Sequence, residues 1–181
     1  MEWYEVVKRE LGPLCPRIME AAEGVRSALL DESSALRRAY EAVDRAIDAA
    51  GGVDELFWTG AATEAFVPYL PGPDDEVFGA VASAVNGAPI ALSVELHRGG
   101  DASINAYIGG GPAAYLLCSR AGWKPVAMFD EGAFLDAGID PGEAYRAFAR
   151  FARCVAEEGV GCLVRRLRYA AEALLFLAAA P

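Results

Sequence analysis

Apolar residues recur every three or four positions over most of the first fifty residues, which is the spacing of one buried helix face. The pattern predicts a first helix over 2–11 and a second helix that Pro16 opens at its first position. The apolar positions pause at 31–34 and resume from 36 to 50. Because serine favours helix caps over helix interiors, the pause at Ser33 and Ser34 favours two helices over one long helix.

In residues 51–87 the helical spacing of apolar residues continues only over shorter, interrupted stretches. Gly51 is expected to end the preceding helix in a left-handed conformation. Two brief helical segments are predicted at 53–58 and 63–69. A longer helix is predicted over 74–85, because acidic residues stand at its start, where the helix dipole favours them.

The spacing changes to two residues at 90–97 and again at 103–108, with a glycine-rich stretch between them. This pattern predicts a β-hairpin. A three-residue loop of Gly99, Gly100 and Asp101 sets Leu96 opposite Ile104, whereas a two-residue turn would set apolar against polar residues along the ladder. We therefore expect the three-residue loop. The same register pairs Val94 with Ala106, His97 with Ser103, Glu95 with Asn105, and Ser93 with Tyr107.

The segment that follows allows two interpretations. In one, 113–120 and 125–130 are two further strands of a meander. In the other, Pro112 begins a short helix that ends at Gly122. The apolar run at 115–118 suits a buried strand, which favours the meander.

Helical spacing returns in the last third of the chain. Residues 140–143, Asp-Pro-Gly-Glu, have the form of a capping box, and the helix they begin is expected to end at Gly159. A last helix is predicted from about Cys162. Its final dozen residues hold one charge, Glu172, so they must be covered by the core or by another subunit. The candidate interface residues are Leu167, Leu174, Leu175 and Phe176.

Together these elements predict an α+β fold, in which an antiparallel sheet of two to four strands within 90–130 packs against N-terminal and C-terminal helices. The 181 residues fit a single domain. Within it, 1–87 is predicted to be mainly helical, 88–131 to form the sheet, and 140–180 to form two helices.

Charge and hydropathy restrict the partners. The net charge of −10 disfavours nucleic acid, which is bound mainly through neutralised phosphates. The most apolar stretch, 160–180, contains three arginines, which oppose membrane insertion. The N-terminus lacks the basic and apolar regions of a signal peptide, so we expect a cytoplasmic protein that contacts neither membrane nor nucleic acid. The hydrophobic fraction of 54% indicates a thick core, an oligomer interface or both.

The numbers of Asn, Gln and Cys residues indicate what kind of organism the protein comes from. Two Asn and no Gln favour a thermophilic source, whereas two Lys beside fourteen Arg run against the trend of thermophile proteomes and fit a GC-rich genome. The four cysteines form no Cys-x-x-Cys pair, and one histidine does not complete the usual zinc patterns, so no metal and no cofactor are expected. Four reduced, buried cysteines are the favoured interpretation. The alternative is one or two disulfides, as intracellular proteins of hyperthermophiles contain. The cysteines are Cys15, Cys118, Cys154 and Cys162.

The polar face of the hairpin is the best candidate for a site. Its residues are Ser93, Glu95, His97, Ser103, Asn105 and Tyr107. Glu95 and His97 are two positions apart, so their side chains lie about 7 Å from each other. Such a set can bind a small polar ligand or transfer protons with His97 as the base. The alternative is that the face is polar only because it meets water.

No nucleophile motif or phosphate-binding loop with complete spacing is present. The leading hypothesis is therefore a non-catalytic accessory subunit that assembles with a protein partner, or with copies of itself, through the C-terminal helix. The alternative is a small-ligand sensor or an enzyme that uses the polar face of the hairpin.

Overall fold

The computed structural model describes residues 2–49, 51, 64–65, 77–85, 88–97, 99–109 and 111–179. The helices in this part of the chain are α1 (Trp3–Leu11), α2 (Cys15–Leu30), α3 (Ala35–Ala49), α4 (Glu131–Asp136), α5 (Pro141–Glu158) and α6 (Val160–Ala179). The strands are β1 (Glu64–Ala65), β2 (Val77–Val85), β3 (Ala88–Leu96), β4 (Ala102–Ile108), β5 (Gly111–Cys118) and β6 (Val126–Phe129).

The strands form one sheet in the order β1-β2-β3-β4-β5-β6, and every neighbouring pair is antiparallel. Neighbours in sequence are therefore neighbours in space, as in a meander. Helices from both ends of the chain accompany the sheet, which confirms the predicted α+β class. The strand interpretation of 113–120 and 125–130 is also confirmed, by β5 and β6.

The helix boundaries follow local chemistry. Ser34 Oγ accepts a hydrogen bond from the N–H of Arg37 at 3.1 Å and so caps α3, which confirms two helices at the predicted break. Gly51 has a φ of 88°, as expected of the residue after the last turn of α3. Asp140 accepts from the N–H of Glu143 at 3.1 Å, which begins α5 as predicted.

Strand β2 corrects the sequence-based prediction, because its residues were expected to lie in a helix. Apolar residues at 77, 81 and 85 are four apart, and a spacing of four places side chains on one face of either a helix or a strand. Pairing along the whole of β3 decides for the strand. Residues 64–65 likewise pair with β2 instead of forming part of a helix, and the predicted segment 53–58 lies outside the described residues.

The register of the hairpin is also corrected, by two residues. The observed pairs include Leu92 with Ala106, Ser93 with Asn105, Val94 with Ile104, and Glu95 with Ser103. A shift of two keeps every side chain on its predicted face, so the hydrophobic pattern does not distinguish these registers. The turn does: the N–H of His97 donates to the carbonyl of Asp101 at 2.7 Å, and Gly99 and Gly100 have φ values of 89° and 94°. The loop therefore lies one residue earlier than predicted.

The core lies between one face of the sheet and the helices. Helix α2 contacts β2 to β5, and α5 contacts β4. The apolar positions of β3 and β4 are buried in one cluster with the inner faces of these helices. Leu167 on α6 belongs to this cluster, so it packs inside the chain itself. The side chains of the other candidate interface residues, Leu174, Leu175 and Phe176, lie outside the described part of the structure.

Helix α4 was not predicted, and it completes an aromatic group. Asp130 Oδ1 accepts from the N–H of Ala133 at 3.0 Å and caps the helix. The buried Phe134 then lies 4.8 Å from Phe129, measured between ring centroids, and Phe129 lies 5.5 Å from Trp3 of α1. These rings connect α1, β6 and α4.

Two disulfides replace the four reduced cysteines that were expected. Cys15 at the start of α2 bonds Cys118 at the end of β5, across 103 residues of sequence. Cys154 on α5 bonds Cys162 on α6, because Gly159 reverses the chain between them. The expectation was wrong because cysteine spacing along the chain does not report the distance between Cα atoms, which is 5.3 Å and 5.6 Å in the two pairs.

A search of the helices in the described ranges finds none with the length and hydropathy needed to cross a bilayer.

Candidate functional site

The polar face of β3 and β4 lies opposite the apolar face that packs on the helices. Four of its residues are buried: Ser93 and Ser103 are 3% exposed, and Glu95 and Asn105 are 7% exposed. The flanking His97 and Tyr107 are half-buried. A face that is polar only because it meets water would be exposed, so its burial counts against that interpretation.

Ser103 is the centre of a hydrogen-bond network on this face. Its Oγ donates to Oε2 of Glu95 at 3.2 Å and accepts from Nδ2 of Asn105 at 2.8 Å. Nε2 of His97 lies 2.8 Å from the same oxygen. A serine hydroxyl can donate one hydrogen bond and accept two. When Nε2–H of His97 donates to this oxygen, all three positions are occupied. Ser103 therefore links His97 to Glu95 and is poorly placed to act as a nucleophile.

The Glu95 carboxylate accepts a second hydrogen bond, from the hydroxyl of Tyr107 at 2.7 Å. Burial raises the pKa of Tyr107 well above its ordinary value, and the hydrogen bond to Glu95 and the charge of that carboxylate raise it further. Tyr107 therefore remains a hydrogen-bond donor at every physiological pH. It holds one oxygen of Glu95 while Ser103 holds the other.

The network has more acceptors than donors. Glu95 forms no ion pair with any residue that the structure describes. Within the same part of the chain, Oγ of Ser93 is buried without a hydrogen-bond partner, although it lies near enough to Tyr107 to oppose the rise in that pKa. An unsatisfied buried polar group costs about 1–3 kcal/mol, so this face retains a hydrogen-bonding capacity that the described residues do not use.

A second cluster was missed by sequence reasoning. Glu158 Oε2 lies 2.8 Å from Sγ of Cys154, and Nη2 of Arg165 lies 2.5 Å from the same carboxylate oxygen and 3.1 Å from that sulfur. The Arg165 guanidinium lowers the pKa of Glu158. The available signal was Glu158, which stands four residues after Cys154 and so shares its helix face, followed by Gly159, which ends that helix before Cys162.

Comparison with protein-family models, curated proteins and solved structures found no match to this chain.

Proposed function

We propose that this protein binds a small polar molecule on the polar face of β3 and β4. The observation that carries the proposal is the buried Glu95 carboxylate, which Ser103 and Tyr107 hold by hydrogen bonds without an ion pair from the described residues. Burying a charge is costly unless it is compensated. A ligand that brings the missing positive charge or the missing donors offsets that cost.

The chemistry of the face indicates the class of ligand. The Glu95 oxygens have lone pairs to spare, and Ser93 Oγ is unpartnered within the described residues. These groups accept hydrogen bonds, so they select a molecule with several N–H or O–H donors, such as an amine or a polyol. His97 is half-buried and lies at one end of this face, next to the turn between β3 and β4. Because Ser103 is fully engaged, binding is favoured over covalent catalysis.

We expect native mass spectra of the purified protein, recorded without reductant, to show a reproducible small-molecule adduct. Glu95→Gln keeps the size of the side chain and removes its charge, so adduct occupancy should fall at least about tenfold, in line with a loss of about 1.4 kcal/mol or more. His97→Ala should weaken retention while changing the melting temperature little. Exposed Glu41 on α3 provides the matched control, because Glu41→Gln makes the same change of charge outside the site.

The adduct mass would then identify the ligand. If wild-type protein carries no adduct, and a panel of amines and polyols shifts its melting temperature no more than that of Glu95→Gln, the binding proposal is wrong. Equal retention by wild type and Glu95→Gln would also contradict it.

We propose assembly through α6 as a second function, in which a second copy of the chain or another protein covers this helix. A groove of about 630 Å³ runs beside α6, and its lining combines Ala35, Val160, Val164 and Tyr169 with three charged residues, Arg165, Arg168 and Glu172. Tyr169 is 60% exposed. A large exposed aromatic beside apolar side chains is typical of an interaction surface. The apolar residues Leu174, Leu175 and Phe176 continue the sequence of the same helix.

Placing a charge on this helix tests the assembly proposal. Leu174→Glu is expected to convert an oligomer to a monomer at micromolar concentration, because an unpaired buried charge costs several kcal/mol at an interface. Light scattering coupled to size-exclusion chromatography measures the mass. Leu135→Glu makes the same change of residue type at a position of α4 that is 57% exposed and lies outside this groove, so it controls for added negative charge. A wild-type protein that is monomeric across the concentration range, and that co-purifies with no partner, would refute the idea.

The proposed setting is the cytoplasm of a thermophile. The scarcity of amides supports a thermophilic source, and two disulfides fit the intracellular proteins of hyperthermophiles.

A further inference from the structure

The Cys154–Cys162 disulfide lies in an unusual electrostatic setting. Arg165 Nη2 is 3.1 Å from Sγ of Cys154, and Oε2 of Glu158 is 2.8 Å from the same sulfur. On reduction, the guanidinium of Arg165 would stabilise a Cys154 thiolate. Cysteines in electropositive, partly accessible surroundings are those that react.

Cys154 also lines a groove of about 450 Å³. Four arginines contribute to this groove: Arg146, Arg150 and Arg153 of α5, and Arg165 of α6. The first three are four and three positions apart, so they share one helix face. Arg153 lies 3.7 Å from Glu10, and Arg165 pairs with Glu158.

The other two arginines outnumber the one further carboxylate of the lining, Glu157, so the groove keeps a net positive charge. Arg146 and Arg150 are exposed and form no ion pair within the described residues. The chain as a whole carries a net charge of −10, so this local positive charge opposes the field of the rest of the protein. An anion is therefore expected to approach this groove more readily than a surface of average charge.

We propose that Cys154–Cys162 is a redox-active disulfide, which exchanges with small thiols that carry carboxylate or phosphate groups and bind in the arginine groove. The inference concerns a different site from the polar face of the sheet, so it is independent of the proposed ligand binding.

The thiolate of the bound molecule attacks Sγ of Cys154, a new S–S bond forms, and the bond to Cys162 breaks with its electron pair on Cys162 Sγ. A second thiolate attacks the sulfur of the first small molecule and displaces Cys154 as a thiolate beside Arg165. Two small thiols become one small disulfide, and their two protons reach the two cysteines. The reverse sequence oxidises the protein.

The second disulfide is an internal control with the same exposure. Cys15 and Cys118 are 7% and 0% exposed, as are Cys154 and Cys162. Exposure alone therefore predicts equal reactivity of the two disulfides. Cys15 and Cys118 line none of the described grooves that contain arginine, so a difference in thiol preference isolates the effect of the arginine groove.

The test compares an anionic with a neutral thiol. Folded protein in EDTA is incubated with glutathione or with 2-mercaptoethanol, and samples are alkylated at successive times. Peptide mass spectrometry then gives the rate at which each disulfide opens. Each rate is divided by the concentration of the thiolate form of the small thiol. We expect the ratio of the glutathione rate to the mercaptoethanol rate to be about tenfold higher at Cys154–Cys162 than at Cys15–Cys118. Arg146→Gln with Arg150→Gln should reduce that ratio about threefold per arginine, as for exposed ion pairs.

Arg45→Gln removes an exposed arginine from α3, outside the groove, and should leave the ratio unchanged. The proposal is overturned if both disulfides show the same thiol preference, or if the double variant keeps the wild-type ratio. Glu95→Gln should behave as wild type here, so failure of the ligand-binding proposal and failure of this one are separate results.

Discussion

Replacing both Cys15 and Cys118 by alanine is expected to lower the free energy of unfolding by about 4–5 kcal/mol. The bond closes a loop of 103 residues between α2 and β5. Without the disulfide, the unfolded chain regains the conformational entropy that the closed loop had removed. The unfolded state is then lower in free energy relative to the folded state. Guanidinium denaturation without reductant measures the change, and its m-value should rise because a longer stretch of the unfolded chain becomes exposed.

The pair Cys154 and Cys162 provides the matched comparison. These residues are separated by eight positions, so the same entropy argument predicts a loss of about 2–3 kcal/mol when both become alanine. The difference between the two double variants measures the effect of loop length, since each removes one disulfide of the same exposure. Equal losses would show that strain or packing, and not loop closure, decides the contribution of each bond.

Phe134→Ala is expected to lower the free energy of unfolding by about 3–5 kcal/mol, the usual cost of emptying a buried aromatic site. Phe134 is fully buried and contacts the ring of Phe129, which in turn contacts Trp3. Alanine leaves a cavity where α1, β6 and α4 meet. Because α4 has only six residues, local collapse to fill that cavity would require the helix to move.

The next residue of the same helix serves as the control. Leu135 is 57% exposed, so Leu135→Ala should change the free energy of unfolding by less than about 0.5 kcal/mol. Thermal denaturation of the two variants in parallel measures the difference. A similar, small effect of both substitutions would mean that α4 does not pack on the core as described.

Much of the local structure could be predicted from the sequence. Ser34, Gly51, Asp140 and Gly159 end or begin helices as expected, because caps and left-handed glycines act through the nearest backbone groups. The alternation of residues in β3 and β4 likewise gives the two faces of the hairpin, since side chains in a strand alternate whatever the partner strand.

Two features were not predictable from apolar spacing. Strand β2 has an apolar spacing shared by helices and strands, and its pairing with β3 decides between them. The register of β3 and β4 is one of two that keep the faces intact, and the turn between His97 and Asp101 selects it. In both cases the sequence pattern is compatible with two structures and a backbone hydrogen bond distinguishes them.

The candidate site also has some features that follow from the sequence pattern and others that depend on tertiary contacts. The sequence by itself determined the α+β class and which polar residues share a face with Glu95 and His97, because both follow from the periods of helix and strand. Only the tertiary structure decided that this face is buried, that Ser103 joins Glu95 to His97, and that Cys15 meets Cys118. Burial and contact depend on distances between residues far apart in the chain, and periodicity carries no information about those distances.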